Sequence, residues 1–564
     1  MSGDAPLGDL RVFVVDCQAT GAAPDKGSLL ELGWGFVSPD GDLQSAEAHW
    51  VALPPHTTIP PMVRRLLGIE LADRRVTVPE GEVLARLEAA LAGEAHPIPT
   101  VIHFARFELS FLRDLYGRLS PSTEPPFETV CLHELARRLL PDLPRRSLRA
   151  LAGFLGYSAP PARRVAVHVA ATAHVYRQFV GELAKRGVHT WSELRAFTSE
   201  TRAPKSRRIN PLPRSFARTL PAGPGVYRFC RSNGDVLYVG KATSLRDRVA
   251  SHLTRSKNTH ERALEMLSQA QAVDATPTPT ALEAALLECD EIKRLDPPYN
   301  VHLRRGLSRG GIAMPSPRED RGVWFSATTF DSATQARSSA RPLGPFPSRT
   351  AVLSLGAIIR YFAGEADPAL PGECLGVPPQ WAPEPGLFDA AFRAFSAEVL
   401  RPRASRTARG TVLRSGHGLL LAGFKPEESD DDEPTGWDLP RVRRHLERAL
   451  LRGVQLVRRA RCLVLFSDAY VEFKDGSATS CVAFVGGDRV EPSAWSPAWS
   501  PWHTRQARFD THRYDRVRVF ITELKRLLTD PRSAILRASF APARPASAAV
   551  ALNQGALARL LRAA

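Results

Sequence analysis

Two tyrosines, a lysine, an arginine and a glutamate fall within one tract in an order that could carry out phosphodiester hydrolysis. The tract reads Gly225-Val226-Tyr227, then Leu237-Tyr238-Val239-Gly240-Lys241, Arg248, Glu288 and Tyr299-Asn300. That reaction needs a group that takes a proton from the attacking water and cations that spread charge over the phosphoryl oxygens. It also uses a carboxylate able to hold a metal ion. An ordinary tyrosine titrates near ~10, so a phenol acts as a base only with electrostatic help.

The elements that must position these groups are legible from turn and cap chemistry. Asn233-Gly234 between two β-rich runs is a strong hairpin signal, so Tyr227 and Tyr238 lie on neighbouring strands. Ser244-Leu245-Arg246-Asp247 has the form of a capping box and starts a helix, which carries Arg248 one turn on and leaves Lys241 in the connecting turn. From Ala281 to Leu295 apolar residues recur at helical spacing, with Glu288 at the edge of the stripe and Pro297-Pro298 as the stop. Periodicity alone does not choose Glu288 over Glu283, Asp290 or Glu291.

In order and spacing this tract resembles the GIY-YIG nuclease domain, in the version found in UvrC, the incision subunit of bacterial nucleotide excision repair, and in its shorter relative Cho. The twelve-residue step from Glu288 to Asn300, matched to that family, selects Glu288. The resemblance implies a DNA endonuclease that nicks on the 3′ side of damage with one divalent cation, Mg2+ or Mn2+, on Glu288. It further implies that Tyr238, helped by Tyr227, takes the water's proton and that Lys241 favours the phenolate. Arg248 would brace the phosphate, and Asn300 would have a positioning role. His252 stands where the UvrC pattern usually has another tyrosine and is expected to donate to a DNA phosphate.

An earlier tract opens with Val12-Phe13-Val14-Val15-Asp16-Cys17-Gln18, followed by Glu31-Leu32-Gly33, His103-Phe104-Ala105-Arg106-Phe107-Glu108 and Arg163-Arg164. Together these resemble the DnaQ-type DEDDh exonuclease, which implies a ribonuclease H-like mixed sheet. Its chemistry needs four carboxylates and a histidine. Here Asp16 keeps its acid and Glu108 replaces an aspartate. Gln18, Arg163 and His168 stand where an acid, the histidine and the last acid belong. Two carboxylates against two divalent ions, with Arg163 adding positive charge, imply weak metal binding and a degenerate cleft kept as a DNA-holding surface.

A chain of 564 residues with net charge +16 suits several domains and a polyanionic partner. The expected fold class is α/β multidomain. It comprises an exonuclease-fold unit (1–195), a basic linker (196–217), the GIY-YIG unit (218–305), a UvrC-like middle region (306–435) and an α+β region (436–564). Arg207 and Arg208 in the linker and Arg304 and Arg305 after the nuclease tract are expected DNA contacts. No spanning apolar run or export signal is read, so the expected location is cytoplasmic and nucleoid-associated. Seven scattered cysteines without a Cys-x-x-Cys pair imply free thiols.

The stretch Arg341-Pro342-Leu343-Gly344-Pro345-Phe346-Pro347 before a helix at Ala351–Phe362 is similar to the segment after the UvrC nuclease. A helix over Leu439–Ala460 takes the place of the element that pairs with UvrB but lacks its acidic and aromatic pattern. Strands are expected from Cys462 to Arg489, with Asp475-Gly476 as a hairpin turn. The run Glu427–Glu433 reads as a solvated acidic loop, and Trp495, Trp499 and Trp502 as locally packed or base-stacking rings. Two rival readings stay open: a nonenzymatic DNA-binding scaffold, and an active 3′-5′ exonuclease that tolerates Gln18 and His168.

Overall fold

Strand β1 (Val12–Ala19) alternates its side chains between two cores, and this sets the N-terminal architecture. Val12 and Val14 enter one apolar cluster while Phe13 and Val15 enter the other, so the sheet is buried on both faces. The sheet also contains β2 (Leu29–Val37), β3 (Leu43–Val51), β4 (Thr77–Val78), β5 (Ile98–Ile102) and β6 (Phe127–Cys131), in the order β4-β3-β2-β1-β5-β6. The pairs β1–β2 and β2–β3 are antiparallel, while β1–β5 and β5–β6 are parallel. Helices α1 (Pro61–Leu67), α2 (Glu80–Leu91), α3 (Ala105–Leu119), α4 (Leu132–Leu139), α5 (Leu148–Phe154), α6 (Val165–Ala184) and α7 (Trp191–Ser199) complete the unit. α2 and α3 cover one face and α4 to α7 the other. This is a ribonuclease H-like mixed sheet.

The computed structural model describes residues 5–38, 42–55, 57–67, 76–158, 164–199, 209–254, 260–304, 310–314, 326–329, 341–343, 349–424, 436–497, 511–542 and 549–562. Arg163, Arg207, Arg208, Arg305, Trp499, Trp502 and the run 427–433 lie outside the described residues.

The second unit is a three-stranded antiparallel sheet, β7 (Gly225–Cys230), β8 (Val236–Ala242) and β9 (Ala272–Pro277), in the order β8-β7-β9. Helices α8 (Leu245–Leu253), α9 (Glu261–Gln269) and α10 (Ala281–Leu295) pack on it. Apart from the basic linker, α5 and α9 join the first two units directly. Ser147 donates to Glu265 at 2.8 Å, the Arg145 N–H donates to Ser268 at 2.9 Å and Gln271 donates to the Phe154 carbonyl at 2.7 Å. Gly153 permits this approach, because a Cβ there would lie 1.9 Å from the Gln269 side chain.

In the second half, a 28-residue helix, Leu439–Phe466, links two cores. Its first turns pack with the helices Arg349–Phe362, Pro385–Phe395 and Ala408–Leu421, whereas Cys462, Leu463 and Phe466 pack under a five-stranded sheet. The helix therefore runs past Ala460, and strands begin at Ala469 rather than at Cys462. The reason is the continued helical spacing of buried Val457, Ala460 and Leu463. The Asp475-Gly476 turn forms as expected, with Gly476 at φ +63° between strands Ala469–Asp475 and Ala478–Val485. Trp495 lies against Tyr470, with ring centroids 5.7 Å apart.

Candidate active site

The Asn233-Gly234 turn closes β7 on β8, with Gly234 at φ +88° and the Arg231 N–H donating to the Asp235 carbonyl at 3.0 Å. In the resulting register Tyr227 faces Gly240 and Phe229 faces Tyr238, which leaves the two phenol rings 6.1 Å apart. Gly240 is required by this contact. A Cβ there would lie 2.5 Å from the Tyr227 hydroxyl and 2.8 Å from the Tyr238 ring. α8 begins at the capping box read from sequence. The Ser244 side chain accepts from the Asp247 N–H and donates to its carboxylate at 2.7 Å, which sets Arg248 and His252 beneath the hairpin.

Tyr227 is fully buried and its hydroxyl lies 2.8 Å from His252 Nε2. Burial, with Arg248 adding to it, pushes His252 down to about 4, so the imidazole is neutral near pH 7 and its Nε2 can accept from the phenol. His252 therefore faces Tyr227 in place of the phosphate expected for it. Burial also raises both phenols above their ordinary range. Tyr238 adds to the shift of Tyr227, and Glu288 to that of Tyr238. Arg248 opposes both shifts, and it is itself held further above its usual range by Tyr227, Tyr238 and Glu288.

Lys241 departs from its expected role as the cation beside the phenols. Its backbone N–H donates to Glu288 Oε1 at 2.9 Å, while its ammonium pairs with Glu523. Glu523 lies on the helix Thr511–Thr529 of the C-terminal region, and its other oxygen accepts from Arg526 at 2.9 Å. Burial lifts Glu288 above the ordinary carboxylate range. The Lys241 N–H and charge oppose the shift, and Glu523 adds to it. Glu523 and Arg526 join Lys241, Asp247 and Arg248 around a cavity of about 490 Å³. Sequence reasoning missed both residues, because they come from the helix Thr511–Thr529, packed on α10 through Leu282 and Leu286.

Asn300 bridges the β8 backbone, accepting from the Val239 N–H at 3.0 Å and donating to its carbonyl at 2.9 Å. Arg304, read as a DNA contact, is engaged in a two-pronged pair with Asp296 at 2.7 and 2.9 Å. Asp296 is the left-handed residue that ends α10, so this arginine is drawn back to the helix terminus.

In the N-terminal unit Asp16, Gln18, Glu108 and His168 gather at one end of β1. His168 Nδ1 is 3.1 Å from Asp16 Oδ2 and 3.4 Å from Gln18 Nε2, and Glu108 accepts from the Cys17 N–H at 2.7 Å. Burial raises Asp16 and Glu108 above the ordinary carboxylate range. Glu31, opposite Gln18 in the β1–β2 register, is a third acid there, but Arg164 pairs with it at 2.8 Å. Arg164 also lies over the Trp50 ring, 4.3 Å from its centroid. Within the cleft Asp16 is thus bonded to His168 and Glu31 is paired with Arg164.

Residues 223–301 match the family described as the UvrC-like GIY-YIG domain. The chain carries a UvrC-like GIY-YIG domain. Around that GIY-YIG domain the chain is 29% identical over 367 residues to a Mycobacterium tuberculosis protein whose name describes a bifunctional exonuclease/endonuclease, covering 64% of this chain and 53% of the relative. It is 42% identical over 140 residues to the UvrABC system protein C of Alkalilimnicola ehrlichii, covering 25% of this chain and 22% of that protein. The chain therefore spans about half the length of the first relative and about a fifth of the second.

Among solved structures, the magnesium-bound GIY-YIG N-terminal endonuclease domain of Thermotoga maritima UvrC is 32% identical. It covers 16% of this chain and 94% of that one, with a TM-score of 0.14. Exonuclease I of E. coli, in complex with an oligonucleotide, is 12% identical, covering 39% and 48%, with a TM-score of 0.27. Among the described residues no helix is long and apolar enough to cross a membrane.

Proposed function

We propose that this chain is a metal-dependent DNA endonuclease that hydrolyses phosphodiester bonds at the GIY-YIG pocket, with UvrC- or Cho-type incision on the 3′ side of damage in nucleotide excision repair. One observation carries the reading: a single cation, Arg248, lies within electrostatic reach of both phenols and of Glu288. A base, a charge stabiliser and a metal-binding acid are thereby joined at one centre.

In this reading Tyr238 takes the proton of the attacking water. Tyr227, hydrogen-bonded to neutral His252, fixes the neighbouring phenol and screens the pocket floor from bulk water. Arg248 braces the phosphoryl oxygens and offsets the phenolate charge, and Asn300 holds β8 in register beneath Tyr238 and Lys241. Glu288 fits a hard divalent cation. It is a half-buried carboxylate in which Oε1 is taken by a backbone N–H, and a carboxylate with few protein oxygens about it suits Mg2+ or Mn2+, which keep several waters. When bound, such an ion supplies Lewis-acid stabilisation of the leaving 3′ oxygen.

We assign no cutting to the N-terminal cleft. A second set of ions there would have to displace His168 from Asp16 and Arg164 from Glu31. The unit at 1–195 is read as a surface that holds nucleic acid beside the nuclease at 218–305.

The test is nicking of supercoiled plasmid, damaged and undamaged, with magnesium or manganese and with chelator. The intact chain nicks only with the metal. Tyr238→Phe lowers the rate by about 100-fold or more while DNA affinity stays within a few-fold. Nicking by Tyr238→Phe at the parent rate would refute the assignment of the base.

A further inference from the structure

Far along the chain from the nuclease tract, the helices Ala408–Leu421 and Leu439–Phe466 border a cavity of about 560 Å³, with Leu560 of the helix Gln554–Arg562 on its lining. Its walls carry Arg409, Arg414 and His417 from the first helix and Arg458 and Arg461 from the second, and among the described residues no Asp or Glu lines it. Arg414 and His417, like Arg458 and Arg461, are three residues apart, so each pair projects from one helix face. The floor is apolar, from Leu413, Val454 and Val457.

Two arginines elsewhere in this chain show the usual matching by acids. Arg360 contacts Glu365, Asp367 and Glu373, and Arg516 contacts Asp290 and Asp488. In the cavity the cations meet each other. Burial, followed by Arg458 and Arg461, lowers the affinity of His417 for its proton. Bringing the Arg414, Arg458 and Arg461 guanidinium groups to one concavity costs repulsion, which an incoming anion converts into attraction. Arg414 is oriented by its bond to the Ser405 hydroxyl, and Arg403 lies along the same helix at Gly418.

We propose that this cavity is a phosphate site that takes the backbone phosphates of a nucleic acid, giving the chain a second grip on DNA. Guanidinium forks match phosphate oxygens in pairs. Cations distributed over two helices around an open cavity, with Arg414 and Arg461 still solvent-exposed, suit successive phosphates of a strand better than one enclosed ion. The site goes beyond the endonuclease reading and does not rest on it.

The full chain is titrated with a fluorescent duplex oligonucleotide in chelator, where no cleavage can occur, at several salt concentrations. Arg458→Gln/Arg461→Gln weakens binding about tenfold at moderate salt and lowers the log–log salt slope by about 2, the value for two lost phosphate contacts. The double variant melts no lower than the parent, because repulsion has been relieved. Should it melt lower, Arg458→Gln alone reads a slope decrease of about 1. In parallel, inorganic phosphate and a mononucleotide are tested for raising the melting temperature of parent and variant. Unchanged affinity and slope would overturn the proposal. Loss of phosphate-induced stabilisation with DNA affinity unchanged would overturn it in favour of a free-phosphate site.

Discussion

His252 gives the Tyr227 hydroxyl a nitrogen acceptor at 2.8 Å, at the position where the UvrC pattern usually has a third phenol. The consequence is a measurable pH dependence. His252 is held at about 4, below the ordinary imidazole value, so between about 6.5 and about 4 the unfolded chain binds a proton that the folded chain does not. Its contribution to stability is present above the unfolded value and is lost as pH falls through that window. Thermal melting at pH 7 and pH 4.5 should therefore show the parent losing more stability on acidification than His252→Phe. Parallel pH profiles would show that this imidazole is not the group held neutral.

At this scale the sequence was informative where chemistry is local. The tyrosines and Arg248 could be placed on their elements from turn and cap residues, and Glu288 was selected among its neighbours only by the family resemblance, but the partner of Lys241 could not be named. Glu523 is 282 positions away and arrives only by tertiary packing. Glu31 was visible as a letter, while its pairing with Arg164 depends on the approach of α6 to β2.

Among the elements, β8 is the one whose fixing matters most, because it presents Tyr238 and Lys241 and has Glu288 bonded to its backbone. Asn300 pins it through both the N–H and the carbonyl of Val239, and it is buried. Asn300→Ala leaves two buried backbone groups without these partners, so it should destabilise the fold by about 2–4 kcal/mol. Denaturant unfolding checks this figure, and a loss under about 0.5 kcal/mol would mean the bridge is dispensable. The hairpin, the capped α8 and the helix carrying Glu288 were readable because turn and cap residues announce themselves. Strand β9 was not, since Asp274, Thr276 and Pro277 give it no apolar alternation, and its pairing to β7 identifies it only in the fold. The helix Leu439–Phe466 was cut short in the reading because the short apolar run Cys462–Phe466 fits strand or helix alike, and its packing under the five-stranded sheet is set only in the fold.

For the whole molecule, the nuclease centre is framed by residues from two distant parts of the chain. α10 carries Glu288 and packs its Leu282 and Leu286 with Val517, Phe520 and Leu524 of the C-terminal helix, and Lys293 pairs with fully buried Asp515 at 2.8 Å. On the other side α9 is hydrogen-bonded to the exonuclease-like unit. A net charge of +16 indicated a polyanionic partner without locating it. The packing forms two concavities, one at the hairpin with Lys241, Arg248 and Arg526 beside Asp247 and Glu523, and an arginine-rich one between the helices of the second half. Neither the composition nor the spacing of residues 306–564 revealed the second, because its arginines lie on two helices that meet only in the folded chain.

The central claim is that hydrolysis occurs at the pocket holding Glu288. Single-turnover nicking of plasmid by Glu288→Gln in magnesium, with DNA affinity measured alongside, tests it most directly. The account predicts a fall of about 100-fold or more in rate, with affinity within a few-fold of the parent. Nicking by Glu288→Gln within a few-fold of the parent rate would contradict it.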